Sequence, residues 1–276
     1  MNCYDQYLET LGISDANIDI SKMVSEKTAD DLARQKFCIV RRIIDPYLVD
    51  DLRRFWLDKQ DAKSFIYERS WGRKNFSKEF HGRYLRHFEF LWNPPSSRKS
   101  LDVLLMLHYG QALLSNHNPF DGLILRPVSP DKAENLLYMA VTQYPLGLGE
   151  MVEHVDLNPF MPIHLVVPLT FHGLDYADGG LEIKSDSGDW INVDSQCSPG
   201  DVVLFKAAAK HRVKKVIGTG ARSGAGRLQM FLIPQKFEEP GTKKWFRQLK
   251  EDILGRYKNY RYSKGKDLSD NGKNYK

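Results

Sequence analysis

The chain has 276 residues, 27% of them charged and 42% hydrophobic, with a formal net charge of +5. That length and apolar content suffice for one large folded domain, which excludes a disordered chain. No run of about twenty apolar residues occurs, so no membrane span is expected. The first residues, Met1-Asn-Cys-Tyr-Asp5, lack the basic and apolar regions of a secretory signal. Cys3, Cys38 and Cys197 are widely spaced and form neither a zinc pattern nor a disulfide frame. They fit a reducing, cytoplasmic setting.

Residues 1–62 read mainly as helix. Thr28-Ala-Asp-Asp carries a capping-type start, Phe37-Cys-Ile-Val40 is an apolar strand, and Asp45-Pro46 opens a second helix. In that helix Leu48, Leu52, Phe55 and Trp56 fall on one side. Residues 63–134 read as a variable, substrate-shaping segment in which Arg73, Lys74, Arg83 and Arg86 lie among aromatic rings. Arg73, Arg83 and Arg86 are candidates to meet an acidic substrate; an ordinary solvated surface is the competing reading. Leu101 to Leu114 reads as a buried helix too short to span a bilayer.

Residues 135–236 change character to short apolar runs punctuated by turns. The runs are Leu136–Tyr144, Met151–Asp156, Ile163–Phe171, Leu181–Ile183, Trp190–Val193, Val202–Phe205, His211–Ile217 and Arg227–Ile233. Asp178-Gly-Gly180, Ser187-Gly-Asp189 and Ser198-Pro-Gly-Asp201 read as the turns between them. Such spacing predicts a mainly β sandwich or jelly roll with flanking helices, all in one domain. Residues 237–276 are basic and aromatic and read as an amphipathic helix with a mobile tail. A solvated helix face, rather than a nucleic-acid surface, is the expected reading there.

Within the predicted β region stands His154-Val155-Asp156. With eight histidines in the chain, roughly one His-x-acid triplet is expected by chance, and His87-Phe88-Glu89 is a second. The two differ in context. Residues i and i+2 of a strand share a face, so His154 and Asp156 can both point inward, and His211 opens a later strand that can meet them. His87 and Glu89 lie in a segment without strand alternation and read as coincidence. Two imidazoles and one carboxylate suit a ferrous ion with three positions left open. His164 and His172 read as packed core histidines.

The order His154-x-Asp156, Gly179-Gly180-Leu-Glu, Pro199-Gly-Asp-Val-Val-Leu-Phe205, His211-Arg-Val and Arg227 resembles the double-stranded β-helix core of the iron(II)/2-oxoglutarate-dependent dioxygenases. The stretch Asp31 to Pro46 is similar to the start of the phytanoyl-CoA-hydroxylase-like, small-molecule branch. The resemblance implies a cupin-like jelly roll with His154, Asp156 and His211 as catalytic iron ligands, 2-oxoglutarate as co-substrate and O2 as oxidant. It also implies an arginine fork for the far carboxylate of 2-oxoglutarate. Arg227, which opens the last strand with Gln229 on the same face, is preferred over Arg222, which lies in a loop. Gln143 and Tyr144 join them as cofactor-binding candidates. The implied reaction is hydroxylation of an unactivated C–H bond in a small biosynthetic substrate, with release of succinate and CO2. Desaturation or ring closure belongs to the same class. Halogenation does not fit, because halogenating relatives replace the carboxylate that Asp156 supplies. A peptide or protein hydroxylase with the same site, and a non-catalytic jelly-roll binding protein, are the alternatives. The sequence leaves the oligomeric state open.

Overall fold

The computed structural model describes residues 3–13, 18–61, 74–79, 83–90, 98–121, 135–156, 161–219, 222 and 226–236. Arg73, and the helix and tail expected over 237–276, lie outside the described residues.

Four helices are described: α1 (Cys3–Leu11), α2 (Glu26–Gln35), α3 (Pro46–Asp61) and α4 (Arg98–Leu114). Helix α2 starts earlier than the Thr28 signal suggested. Ser25 is its N-cap and its hydroxyl accepts from the Thr28 backbone N–H, so Thr28 sits in the first turn instead. At α3 the Asp45 carboxylate accepts from the Tyr47 N–H at 2.8 Å, and Pro46 occupies a position where no backbone donor is needed. Helix α4 is buried along most of its length, including Val103, Leu104 and Leu107, as its unbroken apolar run requires.

The strands are β1 (Phe37–Val40), β2 (Lys74–Glu79), β3 (Arg83–Phe90), β4 (Asn135–Tyr144), β5 (Glu150–His154), β6 (Ile163–Pro168), β7 (Tyr176–Lys184), β8 (Trp190–Asn192), β9 (Val202–Lys206), β10 (His211–Thr219) and β11 (Arg227–Lys236). One layer runs β1-β9-β6-β11-β4 and the other β5-β10-β7-β8. Strand β3 pairs with both β4 and β5, and so joins the layers, while β2 pairs with β3. All these ladders are antiparallel. This is a jelly roll of the double-stranded β-helix type.

Alternation along the strands sorts two cores. Leu165 and Val167 of β6, Val202 and Leu204 of β9, and Leu228 and Met230 of β11 pack with helical residues such as Leu52, Trp56, Leu104 and Leu107. Their neighbours point the other way: Val166, Val203 and Phe205 meet Leu181 and Ile183 of β7 between the layers. Period-two patterning thus makes one sheet the floor of the helical layer and the wall of the barrel at once.

Two expectations fail here. The segment around His87 was expected to lack strand order, yet it is β3, with His87 opposite Thr142. Its mixture of charged residues and rings hides the alternation by which a strand is read from sequence. Asp178-Gly179-Gly180 is not a turn but lies inside β7. Both glycines have positive φ, 91° and 100°, where the β7–β10 register shifts between Lys214 and Ile217. A Cβ on Gly179 would stand 2.1 Å from the Lys215 carbonyl oxygen, and one on Gly180 2.3 Å from Asp194 Oδ2. The pair therefore serves a bulge and a close side-chain approach. Pro199-Gly-Asp201, by contrast, is the expected turn. The Gly200 carbonyl accepts from the Ile43 and Ile44 N–H groups, and the Asp201 carboxylate takes the Arg42 N–H and the Arg41 guanidinium. These contacts moor the N-terminal segment to the barrel.

Candidate metal centre

Strand β10 opens at His211, which faces His154 at the end of β5. The next register pair is Val213 with Met151, so β5 carries one residue more than β10 between the two pairs. That bulge lets Met151 pack inward beside Tyr144, Tyr176, Val213 and Val216 while His154 also turns toward His211. Asp156 arrives differently from the expected i, i+2 alternation. The strand has ended, and the Asp156 N–H donates to the Ala207 carbonyl at 3.0 Å, which ties the residue to the end of β9. The convergence of the carboxylate is made by this link between chain segments, not by strand pleat.

Ligand atoms of His154, Asp156 and His211 all lie within 4.8 Å of one another. His154 Nε2 is 3.7 Å from Asp156 Oδ1, and His211 Nε2 is 3.4 Å from Oδ2. The two imidazole rings are 4.2 Å apart between centroids. His154 Nδ1 meets the Val152 carbonyl and His211 Nδ1 the Ala209 carbonyl, both at 2.9 Å. A carbonyl only accepts, so each Nδ1 carries a proton, and in the neutral ring Nε2 is the atom left to ligate. Two such nitrogens and a carboxylate gathered at one point form the donor set of a cation site. Ligands on adjacent octahedral positions of a small divalent ion stand about 3 Å apart, so a slight contraction closes the set. The residues present therefore fit a metal ion.

Burial alone would raise the Asp156 carboxyl. The His211 hydrogen bond and the nearby charges of His164, His211 and His154 outweigh it and pull the group down to about 2. Asp156 is thus ionised, as a ligand must be.

His164 belongs to this neighbourhood, although its place in an apolar strand marked it as core packing. It comes from β6, in the opposite layer from His154 and His211, and its Nδ1 stands 3.4 Å from Asp156 Oδ2. Burial drives its pKa down to about 4 against the opposing charge of Asp156, so the ring is neutral near pH 7. Phe205, its register partner on β9, sets its ring edge-on against both His164 and His211. His172 instead pairs with Tyr176 and stacks edge-on against its ring.

A second polar cluster lies between the layers. Arg227, first residue of β11, is only 2% exposed. Its Nε donates to Asp194 Oδ2 at 2.5 Å, its Nη2 to Oδ1 at 3.2 Å and its Nη1 to Gln229 Oε1. Its guanidinium also lies over the Tyr144 ring. Asp194 further accepts from the Tyr176 hydroxyl and the Leu181 N–H. Burial would lower the Arg227 pKa, but the Asp194 carboxylate more than reverses this and holds the guanidinium charged. Arg227, Tyr144 and Gln229 are therefore together. Gln143 is buried on the other face of β4, in step with Met139 and Val141, which pack toward the helices. Arg222 lies elsewhere: it is half-buried, its N–H bonds the Leu174 carbonyl, and its guanidinium stands 3.5 Å from Asp50 of α3. It lines a groove with Pro46, Arg53, Leu169 and Phe171 that shares no residue with the histidine cluster. Arg83 and Arg86 lie on β3, opposite Met151 and Gln143 respectively. Asp194 had no sequence signal, being a single acid in a short 3-10 turn.

No protein-family model matches the sequence, and no curated protein does. Solved structures do match in shape. A prolyl-4-hydroxylase from Pseudomonas putida superimposes with a TM-score of 0.52 at 16% identity, over 79% of this chain and 100% of that one. EctD from S. alaskensis gives 0.50 at 13% identity, over 78% of each chain. The non-heme alpha-ketoglutarate-dependent carbocyclase SnoK of nogalamycin biosynthesis gives 0.50 at 8% identity, over 79% of this chain and 88% of that one. At these identities the likeness establishes the fold alone, a double-stranded β-helix. Among the described residues no helix is long and apolar enough to cross a membrane.

Proposed function

We propose that this protein is an iron(II)- and 2-oxoglutarate-dependent oxygenase that hydroxylates a C–H bond of a small molecule. The carrying observation is the meeting of the His154 and His211 Nε2 atoms with the Asp156 carboxylate, each Nδ1 being held by a backbone carbonyl. His154, Asp156 and His211 would hold the iron on one face and leave the other open. When bound, the iron would couple oxidation of 2-oxoglutarate to succinate and CO2 with oxidation of the substrate by O2.

The remaining work falls to the chain. Val152 and Ala209 fix ring orientation, which keeps the ligand set preformed. Arg227 is the proposed anchor for the far carboxylate of the co-substrate. Asp194 occupies the Nε–Nη2 edge of its guanidinium, and the Nη groups retain further donors for a second carboxylate. Arg222 lines a groove that shares no residue with the ligand cluster, which argues against it in this role. The apolar ring of Phe205 beside His211 helps keep water from the ligand set. The presence of Asp156 favours hydroxylation, or desaturation or ring closure, over halogenation.

A peptide substrate is the second reading, favoured by the fold match to a prolyl-4-hydroxylase. Succinate formation measured with the purified protein, Fe(II) and 2-oxoglutarate separates the two. Stimulation by members of a metabolite panel and not by proline-containing peptides is the expected outcome. Stimulation by peptides alone would move the substrate assignment to the second reading. Failure of both panels and of uncoupled turnover would leave a non-catalytic jelly-roll binding protein.

A further inference from the structure

We infer that Asp194 is a resident carboxylate that shares the Arg227 guanidinium with the co-substrate, and so sets how strongly the barrel prefers a diacid to a monoacid. This rests on the reading of Arg227 as the anchor for the far carboxylate of 2-oxoglutarate.

The pair lies one strand step from the metal centre. On β7, Ile183 stands opposite His211, and two residues back the Leu181 N–H donates to Asp194 Oδ2 at 2.9 Å. Two residues of strand rise about 7 Å, within reach of a five-carbon chain that starts at the metal. Asp194 is held there from several sides. Its Oδ2 also accepts from the Tyr176 hydroxyl at 2.7 Å and from Arg227 Nε at 2.5 Å, and its Oδ1 accepts from Arg227 Nη2 at 3.2 Å. Gly180 makes this approach possible, since a Cβ there would stand 2.3 Å from Asp194 Oδ2. The glycine pair that reads as a turn in the sequence therefore admits the acid to the anchor.

The side chains of Arg227 and Asp194 are almost wholly buried, at 2% and 4% exposure. In so dry a place a guanidinium needs one carboxylate, and Asp194 supplies it. A second carboxylate, from the co-substrate, brings excess negative charge to the same cation and meets Asp194 as a like charge. Asp194 thus stabilises the ligand-free barrel and weakens its hold on the diacid. Without that charge, the ligand-free protein keeps an unpaired buried cation that the far carboxylate neutralises. Stability and diacid affinity then move in opposite directions, which a side chain that only packs does not produce.

The test uses the full chain saturated with Co(II) under anaerobic conditions and two probes. These are 2-oxoglutarate and 2-oxopentanoate, the same five-carbon chain without the far carboxylate. Isothermal titration gives the ratio of their affinities in the parent and in each variant. Asp194→Asn keeps the shape of the acid, and Asp194→Ser is the second variant should Asn impair folding. Loss of the charge is expected to raise the preference for 2-oxoglutarate about 10-fold or more, the order of one like charge removed from a low-dielectric site, while the urea midpoint falls. General loosening would weaken both probes alike and leave the ratio at the parental value. A ratio that stays parental or falls in these variants would overturn the proposal. The Arg227→Ala/Asp194→Asn double variant, which strands neither charge, is the control for the underlying reading. If it keeps the parental preference, Arg227 is not the anchor; if it loses the preference while the Asp194 variants keep theirs unchanged, only the role of Asp194 falls.

Discussion

The two polar clusters of the barrel differ in how their charge is met. At Arg227 an acid and a base come together: Asp194 neutralises the guanidinium on its Nε–Nη2 edge and also takes the Tyr176 hydroxyl and the Leu181 N–H, while the Nη groups keep donors for a further partner. At His154 and His211 each ring is pinned from behind by a backbone carbonyl, and both Nε2 atoms converge on the Asp156 carboxylate. The first arrangement is an ion pair that contributes to the fold by itself; the second gathers three ligand atoms around one point. A metal site can thus be recognised by ligand atoms whose backs are fixed and whose fronts converge.

The sharpest way to break this contrast is to remove Asp156. Asp156→Ala is expected to abolish Fe(II) binding, measured by anaerobic equilibrium dialysis, while chemical denaturation of the metal-free protein stays close to the parent. The half-exposed carboxylate is not a core group. A stability loss as large as the binding loss would mean that the cluster is structural.

At the other end the order reverses. Arg227→Ala strands Asp194 as a buried charge, and removal of one partner of such a pair costs about 3–5 kcal/mol. The Arg227→Ala/Asp194→Asn double variant is expected to be far less destabilised than the two single losses added together. Urea denaturation of the four proteins measures this coupling. Additive losses would show that the pair is not the unit described here.

Arg227→Lys keeps the charge and loses the fork. 2-Oxoglutarate affinity is expected to fall about 10- to 100-fold, the worth of one charge-assisted hydrogen bond, with Fe(II) affinity retained. Isothermal titration with Fe(II) held saturating reads both.

The smallest effect is expected at Arg222. Its contact with Asp50 is a half-exposed pair, so Arg222→Ala should change stability by less than about 1 kcal/mol and leave 2-oxoglutarate affinity unchanged. A loss of co-substrate binding there, with Arg227→Lys unaffected, would exchange the roles of the two arginines.

Much of the barrel was legible because strand period and turn chemistry repeat along residues 135–236. The runs ending at Tyr144 and opening at His211 and Arg227 became β4, β10 and β11 at nearly the expected bounds. What periodicity missed has physical causes. Strand β3 mixes charges with rings and so lacks a clean apolar face. Gly179 and Gly180 look like a turn, because the need for positive φ is the same in a turn and in a bulge. The triad was legible as a motif, but the reason for its convergence was not. Alternation predicted that Asp156 shares a strand face with His154, whereas a backbone link to Ala207 places it. His164 and Asp194 carried no local signal. Asp194 meets Arg227, distant in sequence, and His164 on β6 stands near Asp156, which lies beyond the end of β5.

The most direct test of the account is the visible absorption of the anaerobic protein on addition of Fe(II) and then 2-oxoglutarate, with His154→Ala alongside. The account predicts a metal-to-ligand charge-transfer band that needs both additions and is absent in the variant. No band in the parent protein, with no iron retained after gel filtration, would contradict it.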